Sequence, residues 1–197
     1  MKPKIYFEYV LTLQDKKGKK IYSVKKESES LLMNFVSLLF CQFRNNNINF
    51  PAVDNGNLVN FSGTLRGTAF SGFAATASAL ACDGALNDDI TGIEIGSGTT
   101  LAVAPNNYSL QTRYTTANFQ FLAQGGNATS VVGNDSKLSL RRVFVNIGVA
   151  ALNVTEIGLV AKPNAEYFLI ARDLLSPVVS VGSGQSFTVE YILTVTA

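Results

Sequence analysis

Apolar and polar residues alternate with a period of two from the start of the chain. In Lys4–Leu13, the side chains of Ile5, Phe7, Tyr9, Leu11 and Leu13 share one face, and Tyr6, Glu8, Val10 and Thr12 share the other. That period marks a half-buried strand. Asp15-Lys16-Lys17-Gly18 predicts a turn, and Lys20–Lys25 a returning strand. The last segment alternates as cleanly. Phe187, Val189, Tyr191, Leu193 and Val195 oppose Ser186, Thr188, Glu190, Thr194 and Thr196.

Between these ends the period changes once. Leu31, Leu32, Phe35, Leu38, Leu39 and Gln42 recur at helical spacing, and Met33, Val36, Phe40 and Phe43 widen the apolar face. Such a helix is expected to be buried on several sides. Ser28 or Ser30 is its expected N-cap, with Glu27 and Glu29 near the positive end of its dipole. Asn45-Asn46-Asn47 and Pro51 end it.

Residues 44–90 read as a long excursion with short strands at Leu58–Leu65 and Thr68–Phe73. Strands are expected at Ile90–Ile95, Tyr108–Leu122, Leu138–Ile147, Asn153–Ala161 and Glu166–Ala171. Their turns fall at Gly96-Ser97-Gly98, Gly125-Gly126-Asn127, Pro163-Asn164 and Gly182-Ser183-Gly184-Gln185. The alternation changes phase near Arg141-Arg142, which predicts a bulge. The whole predicts a mainly β chain: a jelly-roll-like antiparallel β-sandwich with one buried helix near residues 29–43, forming a single domain over 1–197.

Composition sharpens this picture. The chain has 197 residues, of which 47% are hydrophobic and only 15% charged. Average globular proteins are about a quarter charged. Charged residues are depleted at interface cores, so the composition suits a surface covered by neighbours. The net charge of +2 is unevenly spread. Residues 1–44 carry nine Lys/Arg against four Asp/Glu, and the rest seven against ten. Lys16, Lys17, Lys19 and Lys20 are candidate partner contacts, docking on an acidic neighbour or the acidic end of the next copy. Their plainer role is to guard a sheet edge.

The expected function classes narrow by what is missing. Histidine is absent, which removes the commonest general base and the commonest transition-metal ligand. Gly96-Ser97-Gly98-Thr99-Thr100 lacks the Gly-Lys-Ser/Thr ending of a phosphate loop. Asp88, Asp89 and Glu94 have oxygen ligands for calcium but not the EF-hand spacing. Glu156 and Arg142 interrupt apolar strands, and Arg172 with Asp173 ends another. Strand-end ion pairs, or pairs across a subunit boundary, are the expected arrangement. Cys41 reads as a buried small hydrophobe, and its pairing with Cys82 is left open. No signal peptide or membrane span is expected, and the five Asn-x-Ser/Thr sequons read as composition. The expectation is no catalytic residue, no cofactor and no metal.

The order of segments resembles structural proteins of tailed phages and archaeal viruses. The matching pieces are Ser30-Leu31-Leu32-Met33-Asn34-Phe35-Val36-Ser37-Leu38-Leu39-Phe40, after a Lys/Gly hairpin, and Gly92-Ile93-Glu94-Ile95-Gly96-Ser97-Gly98. Asn106–Leu110, Arg142–Asn146, Val154–Leu159, Leu169–Asp173 and Val181–Gln185 continue the pattern, which omits roughly residues 50–90. The resemblance implies a homo-oligomeric virion component, at the capsid surface, a vertex or the neck or tail, assembled in the host cytoplasm. Its partners would be copies of itself and other virion proteins, with no specific nucleic acid and no membrane. The alternative is a carbohydrate-binding or host-attachment sandwich with a glycan partner.

Overall fold

The computed structural model describes residues 4–28, 31–44, 58–64, 81–98, 102–162 and 166–196, with the side chains of 39–44 and 126–127 left aside. Two antiparallel sheets pack face to face, with the short helix against one of them.

The N-terminal hairpin forms as its pattern predicts. Strands β1 (Lys4–Gln14) and β2 (Lys20–Glu27) are joined by a turn in which the Asp15 carboxylate accepts from the amides of Lys17 (2.8 Å) and Lys19 (2.9 Å). Gly18 supplies the required left-handed conformation at φ 79°. Phe7, Tyr9, Leu11 and Leu13 are buried, but Ile5, on the same face, is 56% exposed.

Helix α1 spans Met33–Arg44 and departs from expectation at its start. Ser28 is not a cap. Its amide donates to Phe7 and its hydroxyl to Asp173, so it prolongs the hairpin. Ser30 lies outside the described residues. The chain instead runs along an edge of the smaller sheet, where Leu31 bridges Ala171 and the Leu32 amide donates to Ile170. Phe35 and Leu38 are buried, whereas Val36 is 60% exposed. Burial is therefore one-sided over these residues. Asn34 on the buried side ties strand and loop together, donating to the carbonyls of Val59 and Leu169 and accepting from the Val59 amide.

The remaining strands are β3 (Gly92–Gly96), β4 (Phe119–Phe121), β5 (Gly125–Val132), β6 (Asp135–Asn146), β7 (Leu152–Ala161), β8 (Phe168–Val181) and β9 (Ser186–Thr196). The larger sheet has the order β2-β1-β9-β6-β4, with β5 also on β6, and the smaller has β3-β7-β8. β6 pairs with β9 while the intervening β7 and β8 pair in the other sheet. This double hairpin folded across both layers is the jelly-roll-like element.

The two sheets differ in how they are covered. In the larger, one face meets the core, so alternation is clean. Its rings meet in two groups, Phe7 with Tyr191, and Phe187 with Phe144 and Phe121, where Phe121–Phe144 is 5.2 Å apart at 85°. In the smaller, residues 154–161 of β7 are all buried. Leu32, Leu110, Val160 and Leu169 form a second cluster apart from the main core. Burial on both faces replaces alternation with a continuous apolar run.

Three expectations are corrected. Only Phe119–Phe121 of the expected strand 108–122 is strand. The preceding backbone is drawn elsewhere: Gln111 and Thr112 donate to the Glu156 carboxylate, and Tyr114 donates to Ile95. Gly125-Gly126-Asn127 is no turn but the start of β5, and the chain reverses at Gly133-Asn134, with Gly133 at φ 61°. The bulge near Arg142 lies in β5, between Gly125 and Ala128 and facing β6 at Leu140. β6 itself keeps phase, with Arg142, Phe144 and Asn146 all buried on one face. Expected features at 45–57, 65–80, Thr99-Thr100 and Pro163-Asn164 lie outside the described residues.

Candidate functional site

Most of the charged residues singled out from the sequence are buried, in separate places: Arg142 on the core face of β6, and Glu156 with Arg172 on the face of the smaller sheet that carries the second cluster. Arg142 is fully buried and donates to five backbone carbonyls: Leu122, Thr91, Ile93, Ala85 and Asp88. That uses the whole donor set of a guanidinium. Its plane also lies over Phe121, 5.2 Å from the ring centre. A Cβ on Gly84 would stand 2.6 Å from the guanidinium, so the loop needs glycine there. Arg142 therefore organises residues 85–93 and pairs with no carboxylate directly, contrary to the expected ion pair. Desolvation by burial lowers its pKa, opposed in part by Asp88, Glu94 and Asp89.

Glu156 and Arg172 form a pair at the middle of the smaller sheet, not at a strand end. The Nε and Nη2 atoms of Arg172 each lie 2.9 Å from Glu156 Oε2, and both side chains are at most 1% exposed. Glu156 also accepts from the amides of Gly98 (3.1 Å), Gln111 (3.1 Å) and Thr112 (2.9 Å). Arg172 Nη1 donates to Asn107 Oδ1. A Cβ on Gly96 or Gly98 would sit 2.7 or 2.5 Å from Glu156 Oε1. The Gly96-Ser97-Gly98 loop does receive an anion, but the anion is the chain's own carboxylate.

The other candidates are likewise engaged. Asp173 accepts from Ser28 and from the buried Tyr191 hydroxyl, both at 3.0 Å. Burial and the neighbouring Asp173 push the Tyr191 pKa well above its usual range. Glu94, 1% exposed, lies 3.2 Å from Arg113. Burial holds its carboxyl well above the usual range, and Arg113 and Arg142 offset this only in part. Asp88 accepts from the amides of Ile90 and Thr91, and Asp89 from that of Thr116. Among the described residues no three His, Cys, Asp or Glu converge on a metal position. Cys82 is a buried free thiol, pushed up to about 12 by desolvation and then by Asp83. It is thus neutral and unreactive at ordinary pH. The Cys41 side chain lies outside the described set.

The four lysines are all exposed, but they do not act as one group. Lys16 and Lys17, with Asp15, face Gly182, Ser183 and Gln185 of the β8–β9 turn across a shallow recess of about 290 Å³. Lys19 and Lys20 do not line it. A second open recess, about 470 Å³, is lined by Asn87, Thr116, Gln120 and Ile147.

A surface that the sequence reading missed lies at the far end of the larger sheet. Ile5 pairs with Val195, Val195 with Ser136, and Ser136 with Val131, forming one row across four strands. This row is on the core-facing side, yet Ile5, Val195 and Val131 are 56%, 41% and 75% exposed. Val132, on the opposite face of β5, is 63% exposed. The signal was present in Val131-Val132 but was obscured by the preceding Gly, Asn, Thr and Ser residues.

No helix among the described residues is long and apolar enough to cross a membrane. Neither models of protein families, nor curated proteins, nor solved structures yield a match to this chain. Fold and surface thus define its class: an antiparallel β-sandwich with buried charges, most of them bonded within the chain, and an exposed apolar rim.

Proposed function

We propose that this chain is a non-enzymatic structural subunit of a virus particle, at the capsid surface, a vertex or the neck or tail. It acts by associating with copies of itself and with other virion proteins. The observation that carries self-association is the exposed row Ile5–Val195–Val131 with the neighbouring Val132, on a sandwich whose buried Glu156, Arg172 and Arg142 are bonded within the chain. Exposed apolar surface grouped in this way marks a contact region. The viral setting is supported by the order of segments from the Lys/Gly hairpin to Gly182-Ser183-Gly184-Gln185.

Mass spectrometry of gradient-purified, nuclease-treated and salt-washed particles tests this reading. The chain is expected at a fixed ratio to the other particle proteins. Its recovery only from the unassembled fraction would refute the assignment.

A host-attachment role is the second reading. It is favoured by the amides of Asn87 and Gln120 in the larger recess, although no aromatic ring among the described residues lines it. A glycan array read with wild type and with Gln120→Ala separates the two. Binding that the substitution abolishes supports attachment, and no binding leaves the structural role.

A further inference from the structure

The sheet edges are closed in different ways, and one is left open. The outer edge of β3 is covered by residues 112–114, with Tyr114 donating to Ile95 and Ser97 donating to Thr112. β8 is covered at Ile170 by Leu32 and is interrupted further on by a register shift and Pro177. β4 receives the Asn87 amide at Phe121. The β2 edge carries Lys20, Lys25, Lys26 and Glu27, and charge at an edge deters pairing with another strand. β5 has a bulge between Gly125 and Ala128, but beyond it, over residues 128–132, none of these devices is present among the described residues. Its sequence, Gly125-Gly126-Asn127-Ala128-Thr129-Ser130-Val131-Val132, is uncharged, and residues 128–132 are exposed.

The register says which backbone groups are free. β5 and β6 meet at the two-residue loop Gly133-Asn134, with Val132 opposite Asp135. Around a two-residue loop the closing pair exchanges hydrogen bonds, and alternate residues follow. Val132 and Ser130 thus bond toward β6, and the N–H and C=O of Val131 and Thr129 point outward. Among the described residues nothing bonds to those outward groups.

We propose that the β5 edge pairs antiparallel with the β5 edge of a second copy about a two-fold axis, joining the two larger sheets into one. The proposal rests on the self-assembly reading and specifies its surface. A second copy is the fitting occupant because an uncharged strand can face itself without opposing like charges, which the lysine-bearing β2 cannot. Two-fold pairing also closes the assembly, as most homo-oligomers require. With the axis at Ser130, Thr129 faces Val131 of the second copy and Ala128 faces Val132. Each outward N–H then meets an outward carbonyl. The exposed row ending at Val131 is continued across the junction.

Sedimentation velocity over a concentration series tests the pairing. Thr129→Lys with Val131→Lys places ammonium groups against one another across the axis, and Thr129→Glu with Val131→Glu does the same with carboxylates. Each doubly substituted protein alone is expected to associate at least about tenfold more weakly than wild type, and an equimolar mixture to recover association. Val131→Pro removes an outward donor without touching the β6 ladder and is expected to weaken association as well. Recovery in the mixture shows that the charged variants are folded. Wild-type association in the lysine variant overturns the β5 pairing while leaving self-assembly through another surface. Tighter association of the glutamate variant overturns the two-fold arrangement in favour of β5 meeting the basic β2. A wild-type protein that stays monomeric to its solubility limit overturns the pairing and the self-assembly reading together.

Discussion

The smaller sheet and the β5–β6 hairpin place charge in opposite ways. Around β3, β7 and β8, carboxylates and guanidinium groups lie in the interior: Glu94, Glu156, Arg172, Asp173 and, reaching in from β6, Arg142. On β5 there is no charge at all, and two valines stand in solvent. The ordinary arrangement would be the reverse. Glu156, Arg172, Asp173 and Arg142 are tolerated because amides, carbonyls, hydroxyls and opposite charges meet them, while Glu94 has the Arg113 ion pair but no hydrogen bond. They organise loops that have little regular structure of their own, such as 85–91 and 107–113. Among the described residues the exposed valines have no partner of comparable quality. The contrast separates residues that hold the subunit together from residues available to hold subunits to each other.

Substitutions should split along the same line. The largest effect is expected for Arg172→Met, which leaves the Glu156 carboxylate buried without its partner. Breaking such a pair costs about 3–5 kcal/mol, to be read from urea unfolding. Arg142→Met comes next, at about 2–4 kcal/mol, because Thr91, Ile93, Ala85, Asp88 and Leu122 lose a donor at their carbonyls. Amide exchange should accelerate first in residues 85–93. A fully destabilised β5 in either variant, with the interior unaffected, would break the comparison.

A smaller and pH-dependent effect is expected at Glu94. Its folded pKa is raised, so its contribution to stability is complete below the unfolded carboxylate value near 4.5 and is lost as pH rises through the raised folded value. Glu94→Gln should therefore flatten the fall in stability on going upward from about pH 4.5. An unchanged slope would show that another group carries it. The smallest effect on folding is expected at the rim. Thr129→Lys with Val131→Lys should change unfolding free energy by no more than about 0.5 kcal/mol, since both positions are exposed, while association is lost.

Legibility in the sequence followed the same physics. β1 and β9 were readable because one face meets the core and the other does not, so their residues alternate. β7 gave a weaker pattern because both its faces are covered, and β8 was seen only in its first part because a register shift follows Leu174. Arg142 mimicked a change of phase because a charged residue stands at a core position, and its compensation comes from carbonyls as far as 57 residues away. Glu156 misled in the same way: the amides that satisfy it belong to residues 98, 111 and 112. Those amides in turn pulled 108–118 out of the strand expected there. β5 was hidden because Gly, Asn, Ser and Thr are turn formers as well as edge-strand residues. No local window distinguishes a turn from an unguarded edge. That distinction needs the neighbouring strand.

Residue-resolved amide exchange of β5, in dilute and in associated protein, is the most direct measurement. The outward amides of Thr129 and Val131 are expected to exchange quickly when dilute and to become protected on association, while Ser130 and Val132, bonded to β6, stay protected in both. Equal, rapid exchange of Thr129 and Val131 under both conditions would contradict a role for this rim in joining subunits.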